Sequence, residues 1–320
     1  MPHILMLRPL HPDAIALFDA RPDITYEVLD PVDPQKLEER IAAADAISVR
    51  VTAIPASLIA RGNRLKTVAR HGVGYDAVDV AALTARKIPL TITSGANNVS
   101  VAEHALALML AVAKRLVEMD STLRGGGWGQ LQGRPMVELN GRTVLVLGHG
   151  RIGHRVANLC AAFGMKVLVS DPYIDQAKIS AAGHTPVADL DEALPRADVI
   201  TIHVPKSPAT TDLIDAKRLA RLPSHAILIN TARGGIVNEP ALIAALRGGK
   251  LLGAGLDVFE VEPTPKDNEL LGLPNVVVGA HLAAATQEGI RRMGMQCARN
   301  IIDVLDGKPN PEMVVNKEVL

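Results

Sequence analysis

The sequence predicts an α/β fold of doubly wound parallel sheets, and three observations carry that reading. Short β-branched runs alternate with amphipathic helical stretches along nearly the whole chain, the pattern of a parallel sheet covered on both faces. The 320 residues exceed what one hydrophobic core usually organises, so two domains of about 100 to 200 residues each are expected. A glycine-broken segment, Gly125, Gly126, Gly127 and Gly129, separates a first α/β run from a second, longer one.

In the first hundred residues, strands are expected at 3–7, 25–28, 46–49, 67–70 and 89–92. Helical spacing occupies 12–20, 34–42, 55–61 and 78–86, and three of these stretches open on proline, whose fixed φ and missing N–H suit a first helical turn. From Ser100 to about Arg124 the spacing predicts one long helix, with Ser100 as its cap and Glu103 at the capping-box position. Apolar residues cover nearly its whole circumference, which predicts burial on more than one side, between domains or against a second subunit. An irregular arm then reaches Asn140. Further strands are expected at 143–148, 166–170, 199–203, 226–230, 252–257 and 275–279, and a final helix at 286–305 stops near Gly307 and Pro309.

Composition narrows the function. Lys plus Arg and Asp plus Glu balance at 34 each, and the few aromatics are Trp128, Tyr26, Tyr75, Tyr173, Phe18, Phe163 and Phe259. Nucleic-acid binding wants a basic surface and stacking rings, so no nucleic-acid partner is expected. Cys160 and Cys297 lie far apart without metal-like spacing, so they read as core thiols of a reduced intracellular protein and no metal site is expected. No signal-peptide pattern opens the chain, and the longest apolar run, 105–113, is far below the roughly 20 residues that span a bilayer. A cytoplasmic location and no membrane partner are the expectation.

Gly148, Gly150 and Gly153 form G-x-G-x-x-G at the end of an apolar strand and the start of a helical stretch. Glycines there permit a tight turn and close approach of backbone amides to a pyrophosphate, while the helix start supplies partial positive charge. Asp171 ends the next strand, eighteen positions after Gly153, where a carboxylate accepts hydrogen bonds from ribose hydroxyls. A 2'-phosphate would meet like charge there, so NAD is favoured over NADP. A packing-only glycine turn does not account for the acid. An S-adenosylmethionine site also places an acid after its second strand, but generally packs its glycines more closely and lacks the polar strand ends that this chain carries at 230–235, 257–262 and 281.

Those three ends close consecutive strands: 230–235 after one, 257–262 after the next, His281 after the last. If the strands are parallel, these ends share the rim where open α/β sheets bind ligands. The connection 259–274 is long enough for a parallel crossover. His281 can exchange a proton with a carbonyl or hydroxyl oxygen as hydride moves, because imidazole titrates near neutral pH. Glu262 would orient that imidazole and favour its charged form. Arg233 offers a planar fork for a substrate carboxylate. Asp257 is placed to hold a nicotinamide amide, and His203, with Pro205 beyond it, ends a strand on the cofactor side. Singly, each has an ordinary structural reading; jointly, behind the dinucleotide fingerprint, they read as a hydride-transfer site. His149 and His154 flank the glycine loop with no catalytic role, His3, His11, His184 and His225 read as structural, and His104 reads as an interface or domain-contact residue.

The ordered series His71-Gly-Val-Gly-Tyr-Asp76, Asn97-Asn-Val-Ser-Val-Ala-Glu-His104, Gly148-His-Gly-Arg-Ile-Gly153, Asn230-Thr-Ala-Arg-Gly-Gly-Ile-Val237, Leu256-Asp-Val-Phe-Glu-Val-Glu-Pro263 and His281-Leu-Ala-Ala-Ala-Thr286 is recognisable. Over essentially its whole length the chain resembles the D-isomer-specific 2-hydroxyacid dehydrogenase family, particularly its phosphoglycerate dehydrogenase-like branch. The resemblance implies a Rossmann NAD-binding domain, 99–286, inserted into a flavodoxin-like substrate domain made of 1–98 and 287–320. It implies a homodimer formed through the helix and arm at about 100–140. By matching position, the backbone of Val73 and Gly74 binds the substrate carboxylate with Arg233, Arg151 and Ile152 present amides to the pyrophosphate, and Thr231, Ala232 and Asp257 line the nicotinamide. The implied activity interconverts a small D-2-hydroxy acid and its 2-oxo acid, like phosphoglycerate dehydrogenase or hydroxypyruvate/glyoxylate reductase. An NAD-sensing scaffold or corepressor-like protein on the same fold is the alternative.

Departures from the family pattern are specific. Lys206-Ser207 stands where Leu-Thr is common, and Ala280 where proline often precedes the histidine. Gln130 stands where phosphoglycerate enzymes often carry a phosphate-binding lysine, which counts against 3-phosphoglycerate and leaves Arg50 and Arg134 as candidate anion contacts. With no regulatory domain after Leu320, serine feedback through an appended domain is not expected.

Overall fold

A computed structural model describes residues 1–130 and 136–320. Arg134, one of the expected anion contacts, lies outside the described residues. The chain divides into two compact units, Met1–Asn97 with Ala285–Leu320, and Asn98–Ala284.

In the first unit, β1 (His3–Leu7), β2 (Thr25–Leu29), β3 (Ala46–Val49), β4 (Thr67–Arg70) and β5 (Leu90–Ile92) form a sheet ordered β2-β1-β3-β4-β5. Every pairing is parallel, and the order is that of flavodoxin-like folds. β3 is buried along its whole length and β1 and β4 nearly so, because both sheet faces are covered. One face packs on Leu37, Ile41, Leu58, Ile59 and Leu83. The other packs on Ala14 and Phe18 of the helix Pro12–Asp19 and on Cys297, Ala298 and Ile301 of the helix Gln287–Leu305. Aspartates start two of the shorter helices: Asp33 accepts from the Lys36 N–H at 3.0 Å and Asp79 from the Ala82 N–H at 2.9 Å.

In the second unit, β6 (Thr143–Leu147), β7 (Lys166–Ser170), β8 (Thr185–Pro186), β9 (Val199–Ile202), β10 (Ile227–Asn230), β11 (Gly253–Leu256) and β12 (Val276–Val278) run in the order β12-β11-β10-β9-β6-β7-β8. All these pairings are parallel too, and the order reverses direction beside β6 as in a Rossmann sheet. β8 has no counterpart in the sequence reading, since two residues at a sheet edge carry no periodicity. Every strand of this sheet presents its C-terminal end to one rim.

The expected long helix is two helices, Asn98–Ala113 and Leu116–Arg124. Arg115 between them is left-handed, with φ of 51°. The Ala113 carbonyl, which would continue the helical ladder, instead accepts the Val137 N–H at 3.0 Å. Asn98–Ala113 packs against β10, β11, β12 and the helix Arg151–Ala162, so its apolar circumference is accounted for within this unit. Leu116–Arg124 has no buried residue. Ser100 is buried inside the first turn and does not cap the helix, which begins at Asn98. Among the described residues, no helix is long and apolar enough to cross a membrane.

Candidate active site

β10, β11 and β12 are adjacent and end at Asn230, Leu256 and Val278, so their following loops meet on one rim. Asn230 shapes the first loop: its Oδ1 accepts the Ala232 N–H at 3.0 Å and its Nδ2 donates to the Arg233 carbonyl at 2.9 Å. Arg233 is half-buried, and its Nη1 donates to the Ala232 carbonyl at 2.6 Å. The next residue must be glycine, because a Cβ at Gly234 would stand 1.8 Å from the Phe259 carbonyl oxygen. That close approach nests the Arg233 loop on the loop that carries Glu262.

Glu262 holds both of its oxygens on fixed donors. Oε1 accepts the Phe259 N–H at 3.0 Å, and Oε2 lies 2.6 Å from His281 Nδ1. Burial pushes the Glu262 carboxyl up; the hydrogen bonds from His281 and Phe259 and the charges of His281 and Arg233 outweigh it, leaving the group below its ordinary value. With Nδ1 committed to the carboxylate, Nε2 is the ring nitrogen left to exchange a proton.

His281 itself has φ of 55°, a conformation that costs a non-glycine residue on the order of 1 kcal/mol or more and persists only where the surroundings impose it. Asp257 imposes it. The His281 N–H donates to the Asp257 carbonyl at 2.7 Å, and the Asp257 carboxylate accepts the N–H groups of Leu282 at 3.1 Å and Ala283 at 2.8 Å. Asp257 is fully buried, and its carboxylate holds the histidine loop. His104, expected as an interface or domain-contact residue, faces Asp257 inside the unit, with Nε2 3.6 Å from Oδ1, too long for a hydrogen bond. Sequence reasoning missed the loop-fixing roles of Asn230 and Asp257, although each stands as a lone polar residue closing an apolar strand.

The glycine loop fits a dinucleotide. Gly148 has φ of 87°, and a Cβ at Gly153 would stand 1.9 Å from the Gly148 carbonyl oxygen, so both positions exclude side chains. At Gly150 a Cβ would meet open space, which a ligand's pyrophosphate can approach. The helix Arg151–Ala162 starts directly after Gly150, so Arg151 and Ile152 lie in the first turn, where amides and the helix dipole favour an anion. Asp171 accepts the His149 N–H at 2.7 Å through Oδ2 and the Tyr173 N–H at 2.9 Å through Oδ1, which aims the carboxylate beside the loop; its remaining lone pairs suit ribose hydroxyls. His203 backs the loop, its carbonyl 2.8 Å from where a Gly148 Cβ would lie. Its ring bonds Thr201 Oγ1 at 2.8 Å, and burial pushes the imidazole down to about 3, which keeps it neutral. Pro205 is exposed beyond β9. Thr231 is buried, with its Oγ1 lacking a hydrogen-bond partner among the described residues.

Arg50, Val73 and Gly74 belong to the first unit, just past the ends of β3 and β4. Arg8 follows β1 on the same rim, and burial, then the charge of Arg8, lowers the affinity of Arg50 for its proton. Burial, then Arg50 and Arg70, push His71 down to about 4. This rim is therefore a cluster of cations around a neutral histidine, which suits an anion. Arg233, Glu262 and His281 all belong to the second unit, where His281 bonds Glu262 and the charge of Arg233 reaches that carboxylate.

Residues 106–283 match the D-isomer specific 2-hydroxyacid dehydrogenase NAD binding domain. D-3-phosphoglycerate dehydrogenase of Methanocaldococcus jannaschii is 39% identical over 99% of this chain, which spans 60% of that relative's length. Glyoxylate reductase of Aeropyrum pernix is 37% identical over 100% of this chain and 97% of its own. Among solved structures, D-lactate dehydrogenase of Aquifex aeolicus, complexed with NAD and lactic acid, superposes with a TM-score of 0.86 at 29% identity, covering 98% of this chain and 99% of that one.

Proposed function

The chain belongs to the D-isomer-specific 2-hydroxyacid dehydrogenase family and carries its NAD-binding domain, and from that premise we propose that it interconverts a small D-2-hydroxy acid and its 2-oxo acid. The observation that carries the reading is the 2.6 Å bond between His281 Nδ1 and Glu262 Oε2 on the rim shared with Arg233. NAD, when bound, supplies the hydride acceptor or, reduced, its donor. Gly148, Gly150, Arg151, Ile152 and Gly153 would hold the pyrophosphate, Asp171 the adenosine ribose, and Thr231, Ala232 and Asp257 the nicotinamide side, with His203 and Pro205 backing the loop.

Arg233 pairs with the substrate carboxylate through its planar fork and draws electron density from the neighbouring carbonyl. His281 Nε2 delivers a proton to the carbonyl oxygen in reduction and removes it from the hydroxyl in oxidation. Glu262 keeps the ring in the required tautomer and stabilises the imidazolium. Arg50 and the Val73 and Gly74 backbone serve as anion contacts on the first unit. We read the substrate as a phosphoglycerate dehydrogenase-like or hydroxypyruvate/glyoxylate reductase-like acid, with the glyoxylate and hydroxypyruvate class favoured by Gln130. The exposed Leu116, Val117 and Leu123 of the second, unburied helix support assembly as a homodimer. The two buried, unpaired cysteines fit a reducing, cytoplasmic setting.

The deciding assay is a panel of 2-oxo acids, including glyoxylate, hydroxypyruvate and D-lactate's keto partner, with NADH and NADPH, alongside 3-phosphoglycerate with NAD. NADH consumption with at least one acid is expected. No turnover on any of them, with NAD binding demonstrated calorimetrically, would overturn the proposal in favour of a sensor or scaffold.

A further inference from the structure

Beside the glycine loop lies a group that hydride transfer does not use. His149 stands between Gly148 and Gly150, His154 projects from the following helix, and His184 precedes β8. One ring nitrogen from each lies within 4.8 Å of the others. His154 Nδ1 is 3.3 Å from His149 Nε2, and Asn158 spans the remaining pair, its Nδ2 3.1 Å from His154 Nε2 and its Oδ1 3.0 Å from His184 Nε2.

Hydrogen bonding alone leaves the cluster incomplete. His149 and His184 are both more than nine-tenths buried, and His184 Nδ1 has no hydrogen-bond partner among the described residues. When the His184 Nε2–H donates to Asn158 Oδ1, that buried Nδ1 carries a lone pair. Such an atom costs free energy unless a ligand meets it.

We propose that His149, His154 and His184 form a three-histidine site for a divalent transition-metal ion of the Zn2+ class. Zn–N bonds of about 2.0–2.1 Å in a tetrahedron set nitrogens about 3.3 Å apart, the separation already present between His149 and His154. Imidazole nitrogens suit zinc, copper and nickel, and three protein ligands leave a fourth position for water. The exposed His154 supplies the approach from solvent. Burial, then the neighbouring histidines, hold His149 below its ordinary value against the pull of Asp171; burial, then His154, do the same to His184. Both rings are therefore kept in the neutral form that ligates. The Asn158 bond to His184 Nε2 is the outer-shell contact that orients a ligating imidazole. Coordination through Nδ1 puts the His154 proton on Nε2, so the Asn158 Nδ2 contact there gives way to water as the ion binds.

The test uses the untagged full chain, stripped of metal by chelator and titrated with Zn2+ against a chromophoric competitor, without nucleotide, so its outcome is independent of the catalytic reading. One Zn2+ per chain is expected, and Co2+ should give the intense visible absorption of a tetrahedral complex. His154→Ala, at an exposed position, and His184→Gln should each weaken binding at least about tenfold, while His225→Ala, outside the cluster, leaves it unchanged. Absence of stoichiometric binding overturns the proposal. So does unchanged affinity in the His154→Ala protein with its thermal midpoint retained.

Discussion

Two histidine groups sit on the second unit, and they differ in what touches their ring nitrogens. His281 has a carboxylate at 2.6 Å, whereas His149, His154 and His184 meet one another and an asparagine amide. A carboxylate stabilises the imidazolium, so the first arrangement favours a ring that gains and loses a proton. Burial disfavours the imidazolium of His149 and His184, so those two rings stay neutral and offer lone pairs. The same side chain thus meets two different environments, a carboxylate in one and other imidazoles in the other.

That contrast breaks most sharply at His281. His281→Ala should lower kcat by about 10^2–10^4-fold while the NAD dissociation constant, read by fluorescence titration, stays within twofold. A loss below tenfold would show that another group carries the proton. Glu262→Gln keeps the side-chain shape but removes the charge and one of the two oxygens that accept from Phe259 and His281, and a fall of roughly 10–100-fold in kcat is expected, with KM little changed. A KM effect alone would assign Glu262 to substrate binding.

Asp171→Ala should move preference from NAD toward NADP, read as the ratio of kcat/KM for the two nucleotides, because the carboxylate that repels a 2'-phosphate is gone. An unchanged ratio would place cofactor selection elsewhere.

The smallest effects are those of pH on stability, and the two environments predict different windows. Glu262 has a lowered folded value, so its contribution is complete above the ordinary glutamate value of about 4.3 and is lost as pH falls through the folded one. The thermal midpoint gap between the wild type and Glu262→Gln should therefore be constant near neutrality and shrink in acid. His71 is pushed down to about 4, so the unfolded chain takes up its proton first and stability declines as pH falls from about 6.5 toward that value. His71→Asn should flatten the decline over that interval, measured by calorimetry; an identical slope would assign the loss to other groups.

Legibility in the sequence followed the range of the interactions. Arg233, Glu262 and His281 were readable because each closes one of three successive strands, and parallel order alone brings such ends together. Gly148, Gly153 and Asp171 were readable because a tight turn and a strand end leave local marks. The three-histidine cluster was not, since His184 reaches the glycine loop only through β8, two residues long. The break at Arg115 was equally hidden, because it depends on a bond from Val137, more than twenty positions away. The bonds from Leu282 and Ala283 to Asp257 are hidden as well, because they form only when the loop after β12 folds back on β11.

The helix Gln287–Leu305 closes one face of a sheet whose strands all lie before residue 93. On the ribosome, the helix Pro12–Asp19 can cover part of the face formed by Ile4, Met6, Ala46 and Ala69, but the rest waits while nearly two hundred intervening residues are made. The contiguous second unit has no such wait and can close its core first. During synthesis residues 1–97 thus lack one face of their core until Gln287–Leu305 emerges.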